Sequence, residues 1–317
     1  MAVTEVRGRF VWHELLTTDV AAARTFYPGF MNWTPETSGT DASYSLWMVG
    51  GSPVGGMMAL PEEATAMGAP PNWLTYIGTA DVDATVRRAG ALGAQVLKAP
   101  DSVAGAGRFA VLADPQGAVF GVLTPEMPAP GSSPLELGEF SWHELASTDP
   151  VGAFRFYSML FGWQKTGSSD MGPAGLYQMF GWDSGSRGGI YLKPADRPAP
   201  SYWLPYALVS NADLAAKHAT AAGGKVINGP MEVPGGDRIA VLCDPKGAAF
   251  AVHAKAAKAS RRRQKPARKQ SPKKTLKTRR RRATRKKAVR KRPARRPRRP
   301  RQPKRAKRRP STPRKRR

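Results

Sequence analysis

A repeat at a spacing of about 130 residues constrains the fold of this chain more than any other feature. Trp12-His13-Glu14-Leu15 returns as Trp142-His143-Glu144-Leu145. The same offset relates further landmarks along the chain: Asp19 to Asp149, Phe26-Tyr27 to Phe156-Tyr157, Trp73 to Trp203, Tyr76 to Tyr206, Arg108 to Arg238, and Asp114-Pro115 to Asp244-Pro245. Because one offset fits from the first strand to the last, the pattern indicates a duplicated domain. A residue used for chemistry that both copies share should therefore occur in both.

The charge of the chain is divided between two unlike segments. Residues 1–254 hold all 23 acidic residues and 16 of the 51 basic ones, whereas residues 255–317 hold the other 35 basic residues and no acid. An acidic globular body is thus joined to a strongly basic tail, and the two require separate arguments.

The single cysteine, Cys243, excludes an intramolecular disulfide and fits a reducing compartment. The first 30 residues lack the apolar run of a secretory signal, and no stretch approaches the roughly 18 continuous apolar residues of a membrane helix. The expected location is the cytoplasm, with association with the nucleoid if the tail binds DNA.

Composition and hydrophobic period divide the chain into four segments. We expect a first domain over residues 8–124, a Pro-rich linker over 125–138, a second domain over 139–254 and the basic tail over 255–317.

Within each copy, strand and helix patterns alternate twice. The predicted order in copy one begins with a strand over 10–16, a helix over 20–30 with Asp19 as its N-cap, and two strands over 44–49 and 54–60. A second strand and a second helix follow at 73–78 and 81–92. The sequence therefore predicts an α+β fold of two βαβββ modules per copy. One such sheet must be covered by another, and paired modules curl into an open cup that is suited to a ligand. Whether modules pair within a copy or across copies stays open at this stage.

These residues give the chain a resemblance to the vicinal oxygen chelate superfamily, which includes glyoxalase I, bleomycin-resistance proteins and extradiol dioxygenases. The resemblance covers residues 8–254 and is carried by Asp19 with Phe26-Tyr27, by Leu92-Gly93-Ala94 and by Asp114-Pro115-x-Gly117. It implies two tandem glyoxalase-like domains that pair as an intrachain pseudo-dimer. It does not fix a reaction, because the superfamily spans isomerases, dioxygenases and pure binders.

The resemblance also implies where a divalent metal ion would bind, and those positions lack ligands. The first-strand ligand position falls on Trp12 and Trp142, and the last-strand glutamate position falls on Gly121 and Ala251. Neither tryptophan, glycine nor alanine supplies a metal ligand. We therefore predict no cofactor and no metal site in either copy, with a metal-dependent lyase or dioxygenase as the alternative.

Glu14 and Glu144 are the candidate catalytic groups, because a carboxylate among apolar strand residues has a raised pKa and can act as a general base. The favoured interpretation is nevertheless a structural pair with Arg108 or Arg238 that closes the mouth of the cup, since each copy has one matching arginine and one matching glutamate. His13 follows Trp12 on a strand, so it should face the helix side when Trp12 and Glu14 face the cup. His253 has the parity of Ala251 and is a candidate for the second cup only, since its counterpart is Leu123.

The tryptophans have two interpretations, pocket lining and core packing. Trp12 and Trp142 lie at the family's former ligand position and are candidates for ligand contact, together with Glu14, Glu144, Arg108 and Arg238. For Trp47, Trp73, Trp182 and Trp203, core packing is favoured, because large aromatic side chains are usually core.

The tail, residues 255–317, is expected to be disordered and to bind DNA or RNA without sequence specificity. It has 22 Arg and 13 Lys among small residues and prolines, so it cannot bury enough surface to fold. Ser271-Pro272-Lys273-Lys274 and Thr312-Pro313-Arg314-Lys315 resemble elements of linker-histone tails. The candidate nucleic-acid contacts are Lys273, Lys274, Arg279, Arg280, Arg281, Arg282, Arg314 and Lys315. Anionic surfaces in general are the alternative partner.

Taken together, the sequence predicts a binding protein: two cups that hold a small, partly apolar molecule without metal, and a tail that localises the chain to nucleic acid. Two alternatives remain, a metal-dependent enzyme of the superfamily and an architectural nucleic-acid-binding protein with a folded head. The sequence leaves open which ligand binds and whether any reaction is catalysed.

Overall fold

Each copy of the repeat forms one eight-stranded sheet in a computed structural model of the chain, which describes residues 6–39, 41–126, 134–195 and 200–256. The strands of copy one are β1 (Phe10–Thr17), β2 (Thr34–Thr37), β3 (Ser45–Val49), β4 (Ser52–Ala59), β5 (Asn72–Gly78), β6 (Gln95–Val103), β7 (Gly107–Ala113) and β8 (Val119–Pro125). Its helices are α1 (Val20–Phe26), α2 (Pro28–Met31), α3 (Glu62–Ala66) and α4 (Val82–Ala91).

Copy two repeats the order of strands, with a longer first helix and, among its described residues, no counterpart of α3. Its strands are β9 (Phe140–Ser147), β10 (Gln164–Asp170), β11 (Leu176–Gly181), β12 (Gly188–Leu192), β13 (Tyr202–Leu208), β14 (Lys225–Glu232), β15 (Arg238–Cys243) and β16 (Ala249–Ala254). Its helices are α5 (Pro150–Phe161) and α6 (Ala212–Ala221), with a short 3-10 turn at Gly172–Ala174.

The two βαβββ modules of a copy share a single sheet, which answers the pairing question that the sequence left open. The strand order is β2-β3-β4-β1-β5-β8-β7-β6 in copy one and β10-β11-β12-β9-β13-β16-β15-β14 in copy two. The modules join through the antiparallel pairs β1–β5 and β9–β13. The predicted α+β fold of two domains, each built from two βαβββ modules, is confirmed.

Local sequence explains where the first helix of each copy starts and ends. The Asp19 carboxylate accepts a hydrogen bond from the Ala22 amide at 2.9 Å, which is the predicted N-cap. The single helix expected over 20–30 is wrong in one respect: it divides at Tyr27 because Pro28 has no amide hydrogen and cannot continue the ladder. Ser158 takes the place of Pro28 in copy two, and α5 runs unbroken to Phe161.

The helices of the two copies pack against each other between the sheets. Helices α1 and α2 share an apolar core with α6 of the other copy, and α4 shares a second core with α5. Both cores contain residues from both copies, so each sheet buries its helix-side face against the other copy. The opposite faces form two smaller apolar clusters, one within each copy. These opposite faces are the two cups.

The Phe-Tyr and Asp-Pro landmarks of the repeat meet across the copies. The Tyr27 hydroxyl donates to the Asp244 carboxylate at 3.0 Å, and the Tyr157 hydroxyl donates to Asp114 at 3.1 Å. Each phenol also accepts a hydrogen bond from an indole, Trp73 for Tyr27 and Trp203 for Tyr157. All six residues are buried, so these hydrogen bonds hold the two copies in one relative position.

Two segments of the chain for which the sequence makes predictions lie wholly or partly outside the described residues. The tail beyond Ala256 is one, including all eight candidate nucleic-acid contacts, and residues 127–133 of the linker are the other. Among the described residues, no helix is long and apolar enough to cross a membrane.

Candidate functional site

Alternation along the first strand of each copy decides which side chains reach the cup. In β1, Trp12 and Glu14 lie on the cup face, whereas His13 lies on the helix-side face, where it contacts His143 and Phe140 of the other copy. The strand parity predicted from the sequence therefore holds for these three residues. His13 and Glu14, although adjacent, serve different parts of the molecule.

A closed hydrogen-bonded network lies in the first cup. The Glu14 carboxyl group accepts a hydrogen bond from Tyr44 on Oε1 at 2.8 Å and from Tyr76 on Oε2 at 2.9 Å. The Trp12 indole N–H donates to the Tyr44 hydroxyl at 3.0 Å. Glu14 is only 9% exposed, so two phenols rather than water provide the hydrogen bonds to this carboxyl group.

The second cup contains the same network in the same arrangement. Tyr177 and Tyr206 donate to Glu144 Oε1 and Oε2 at 2.7 and 2.6 Å, and Trp142 donates to the Tyr177 hydroxyl at 2.8 Å. The repetition matters because the repeat acts as an internal control. An arrangement of four polar side chains that occurs in both cups belongs to what the duplicated domain does or needs.

Burial changes the protonation behaviour of these groups. Burial raises the pKa of Glu14, even though the hydrogen bonds from Tyr44 and Tyr76 act in the opposite direction. Burial likewise raises the pKa of Glu144. The pKa of each of the surrounding tyrosines is also raised, first by burial and then by the neighbouring carboxyl group. Each cup therefore presents a carboxyl group that holds its proton more readily than a free one, among neutral phenols.

Small residues make room for the tyrosine rings. A Cβ added at Gly121 would clash with the ring of Tyr76, and one added at Gly56 would clash with the hydroxyl of Tyr44. Gly189 has the same relationship to Tyr177. Gly121 is the position to which the resemblance assigns a last-strand glutamate, and the Tyr76 ring occupies the space beside it.

The donors in the cups do not fit the metal ion that the superfamily implies. Trp12 and Gly121, and likewise Trp142 and Ala251, have no side-chain group that ligates a metal. Within the described part of the chain, no group of three or more His, Cys, Asp and Glu side chains is close enough to hold an ion. The Glu14 and Glu144 carboxyl groups already accept hydrogen bonds from two phenols each.

The expected pair between Arg108 and Glu14 is wrong. Arg108 forms a two-point ion pair with Asp83 of α4, at 2.6 and 2.8 Å, and Arg238 forms the same pair with Asp213 of α6. Both arginines lie on the helix-side face of their sheets, opposite the glutamates. Their predicted role at the mouth of the cup therefore has no support in the geometry.

The tryptophans divide as their burial dictates. Trp47, Trp73 and Trp203 are buried in the helix-side cores, and Trp182 packs against the second of these cores. The core interpretation therefore holds for all four tryptophans. Trp12 and Trp142 are half-buried on the cup faces. His253 also lies on the cup side of β16, where it contacts Ser141 and Asp237.

Sequence reasoning missed the tyrosines that complete both networks. Tyr76 and Tyr206 were visible as landmarks at the common offset, but nothing marked them as partners of the glutamates. Tyr44 and Tyr177 do not match at that offset, because the loops before them differ in length. Strand parity would have found Tyr76 and Tyr206, since Tyr76 pairs directly with Trp12 across β1 and β5, and Tyr206 pairs with Trp142 across β9 and β13.

Comparison with known proteins agrees with this geometry. The model of the Glyoxalase/Bleomycin resistance protein/Dioxygenase superfamily matches residues 9–122 and 140–252. A putative glyoxylase, CFP32, from Mycobacterium bovis is 33% identical over 244 residues, which are 76% of this chain and 92% of that protein. The anthracycline biosynthesis protein DnrV from Streptomyces peucetius is 30% identical over 260 residues, 77% and 92% of the two chains.

Solved structures share the fold at low sequence identity. The Mn(II)-bound glyoxalase from Novosphingobium aromaticivorans has a TM-score of 0.55 at 18% identity, over 80% of this chain and 83% of that one. The 2,3-dioxygenase LapB from Pseudomonas sp. KL28 has a TM-score of 0.53 at 10% identity, over 79% and 92%. The chain belongs to the glyoxalase/bleomycin resistance protein/dioxygenase superfamily and contains two tandem domains of it.

Proposed function

We propose that each cup binds a small, partly apolar molecule without a metal ion, and that the basic tail attaches the protein to nucleic acid. The observation that carries the first part is the Trp–Tyr–Glu–Tyr network, which occurs in both cups beside the positions to which the resemblance assigns metal ligands. A carboxyl group with a raised pKa is protonated more readily than a free one and can form a hydrogen bond with a ligand oxygen, and half-buried Trp12 and Trp142 offer apolar surface beside it.

The chemistry of the cup suits a flat aromatic ligand with carbonyl or hydroxyl groups. In copy one the cup face combines Leu16, Leu74 and Leu123 with Tyr76 and Trp12, so the Glu14 carboxyl group is surrounded by apolar and aromatic surface. One relative is named for anthracycline biosynthesis, and anthracyclines are polycyclic aromatic molecules with such oxygens. We therefore propose polycyclic hydroxylated aromatics as the first ligand class to test.

A metal-dependent lyase or dioxygenase is the alternative function. It is favoured by the shared fold with a Mn(II)-bound glyoxalase and a 2,3-dioxygenase, and by the relative named as a putative glyoxylase. The side chains at the positions that the resemblance assigns to metal ligands, Trp12, Gly121, Trp142 and Ala251, argue against a metal-dependent enzyme. Under this alternative, Glu14 and Glu144 would have to leave their tyrosine partners to serve as ligands or bases.

The composition of the tail supports attachment to nucleic acid. Residues 255–317 hold 35 basic residues and no acidic one. Lys and Arg at this density displace counterions from a phosphate backbone, which gives strong binding without base recognition. An architectural role, in which the cups are only a folded head, would rest on the tail alone.

Two measurements on the purified full-length chain test the cup proposal. Elemental analysis should find no stoichiometric Mn, Fe, Ni or Zn; one ion per domain would overturn the metal-free cup. Quenching of tryptophan fluorescence by a hydroxylated anthraquinone should saturate at two molecules per chain. Glu14→Gln with Glu144→Gln should weaken that binding at least about tenfold, a loss of about 1.4 kcal/mol.

The arginines provide the matched control for this titration. Arg108→Gln with Arg238→Gln changes two charges on the opposite faces of the same sheets, so binding in the cups should be unchanged. If the arginine pair and the glutamate pair weaken binding equally, the ligand is not held in the cups.

A further inference from the structure

Three polar side chains form a hydrogen-bonded chain on the wall of the second cup. The Ser141 hydroxyl lies 2.9 Å from His253 Nδ1, and His253 Nε2 lies 2.8 Å from Asp237 Oδ2. The other oxygen of Asp237 accepts the Ala256 amide at 2.7 Å. We propose that Ser141, His253 and Asp237 form a nucleophilic serine site that transfers the acyl group of a small carboxylic ester to water.

The local fold places all three residues on the cup side of the sheet. Ser141 is the extra residue of a β-bulge, because Phe140 pairs with Ala207 while Trp142 pairs with Tyr206. A bulge re-aims the side chain that it inserts, so Ser141 and Trp142 both face the cup. His253 is two residues from Ala251, which belongs to the apolar cluster of that cup. The His253 side chain keeps 14% of its surface exposed, so it is accessible from the cup.

The duplicated domain does not need these three hydrogen-bonded side chains in order to fold. At the common offset, the counterparts of Ser141, His253 and Asp237 in copy one are Val11, Leu123 and Gly107. Val11 and Leu123 pack in the apolar cluster of the first cup, and the bulge at Val11 is the same. At these three positions, copy two has polar side chains and copy one has none. A device for holding the fold would be expected in both.

The hydrogen-bond distances are compatible with the protonation pattern that such a site requires. Burial of Asp237 raises its pKa, but the hydrogen bonds from Ala256 and His253 outweigh burial, and the pKa is lowered overall. An ionised Asp237 accepts the Nε2 hydrogen of His253, which leaves Nδ1 free to accept the Ser141 hydroxyl hydrogen. The Tyr206 carbonyl, at 3.3 Å, is a more distant acceptor for that hydroxyl.

The reaction then balances without any other reagent. Ser141 Oγ attacks the carbonyl carbon of the ester while its proton passes to His253 Nδ1. The bond from the carbonyl carbon to the alcohol oxygen breaks, and the proton on Nδ1 goes to the departing alkoxide. Water repeats the sequence on the acyl-serine, which releases the acid and restores the hydroxyl.

A fluorophosphonate probe on the full-length chain tests the site directly. Intact mass and peptide mapping should find one adduct per chain, on Ser141. Ser141→Ala should remove it, and His253→Gln should slow labelling at least about tenfold, since the general base is lost. Ser168→Ala, at an exposed serine on β10, should label at the rate of the unchanged chain.

The position of the adduct on the unchanged chain decides the question even if a variant fails to fold. An adduct on another serine, or none, would overturn the proposal, and so would a His253→Gln chain that keeps its melting temperature and labels at the original rate. The probe does not depend on the ligand proposed for the cups, so failure here leaves that proposal standing.

Discussion

The Nε2 atoms of His13 and His143 lie 2.7 Å apart at the centre of the contact between the two copies. Each imidazole stacks on a phenylalanine of the opposite copy, His13 on Phe140 and His143 on Phe10, with ring centroids 3.7 and 3.6 Å apart. Only one hydrogen can lie between two such nitrogens, so the pair loses this contact when both rings are protonated. The contact therefore makes pairing of the copies sensitive to acid.

The stability of the body should fall as the pH falls below the ordinary histidine range. Burial lowers the pKa of His143 to about 3, and burial together with the charge of His143 lowers that of His13. The unfolded chain binds protons near pH 6.5 and the folded chain does not. The free energy of unfolding should therefore decrease between about pH 6.5 and 3, by up to about 1.4 kcal/mol per pH unit for each proton taken up.

Urea unfolding of the His143→Gln chain isolates this effect. Glutamine keeps a hydrogen-bonding group near His13 but does not titrate, so stability should depend less steeply on pH in this range. Glu14 and Glu144 titrate in the same way in both proteins and cancel from the comparison. An unchanged pH slope would mean that the histidine pair is protonated in the folded state.

Removal of the Tyr27 hydroxyl should lower the free energy of unfolding by more than the loss of one hydrogen bond, because two buried groups share this hydroxyl. Tyr27→Phe leaves both the Asp244 carboxylate and the Trp73 indole without their shared partner in a buried site. The expected loss is about 1–3 kcal/mol of unfolding free energy, the usual cost of unsatisfied buried polar groups. Tyr202→Phe, at a half-buried tyrosine on β13, is the control and should change stability little. Equal effects would show that the contact across the copies is not specific.

An added methyl group at Gly121 should destabilise copy one, where the Tyr76 ring lies against this position, although Ala251 occupies the equivalent position beside Tyr206 in copy two. An alanine Cβ at Gly121 would displace the Tyr76 ring and with it the hydrogen bond to Glu14. We expect Gly121→Ala to cost about 1–3 kcal/mol in urea unfolding, as overpacking of a core does. Gly90→Ala in α4 is the matched control, because no atom lies within 4 Å of its added Cβ, and it should stabilise by about 0.5–1 kcal/mol. A neutral Gly121→Ala would mean that the Tyr76 ring is free to move away.

The repeat made most of the fold predictable, because landmarks such as Asp19 and Gly93 define element ends by local chemistry alone. The site was less predictable. Trp12 and Glu14 follow from strand parity, but Tyr44 reaches Glu14 only through a sheet order in which β4 separates β3 from β1. The contact between Tyr27 and Asp244 joins residues 217 positions apart, and no local pattern indicates such a pair.

The predicted ion pair between Arg108 and Glu14 is wrong for a reason that strand alternation explains. One matching arginine and one matching glutamate per copy suggested an ion pair, yet a count does not say which face of a strand a residue occupies. Arg108 has the parity of Ala110 and Leu112, which pack against α4 on the helix-side face. The same alternation that placed Glu14 in the cup would have placed Arg108 beside Asp83.

The tail prediction is tested by deleting residues 257–317. Both sheets lie within the described residues up to 256, so the shortened chain should keep its cooperative unfolding while losing retention on DNA at low salt. Retention of the full-length chain should fall steeply between about 50 and 200 mM salt, because counterion release drives this kind of binding. A tail of the same composition in scrambled order should bind equally well if no base is read. Equal DNA affinity of the full-length and shortened chains at low salt would place nucleic-acid binding in the acidic body, where the charge of residues 1–254 opposes it.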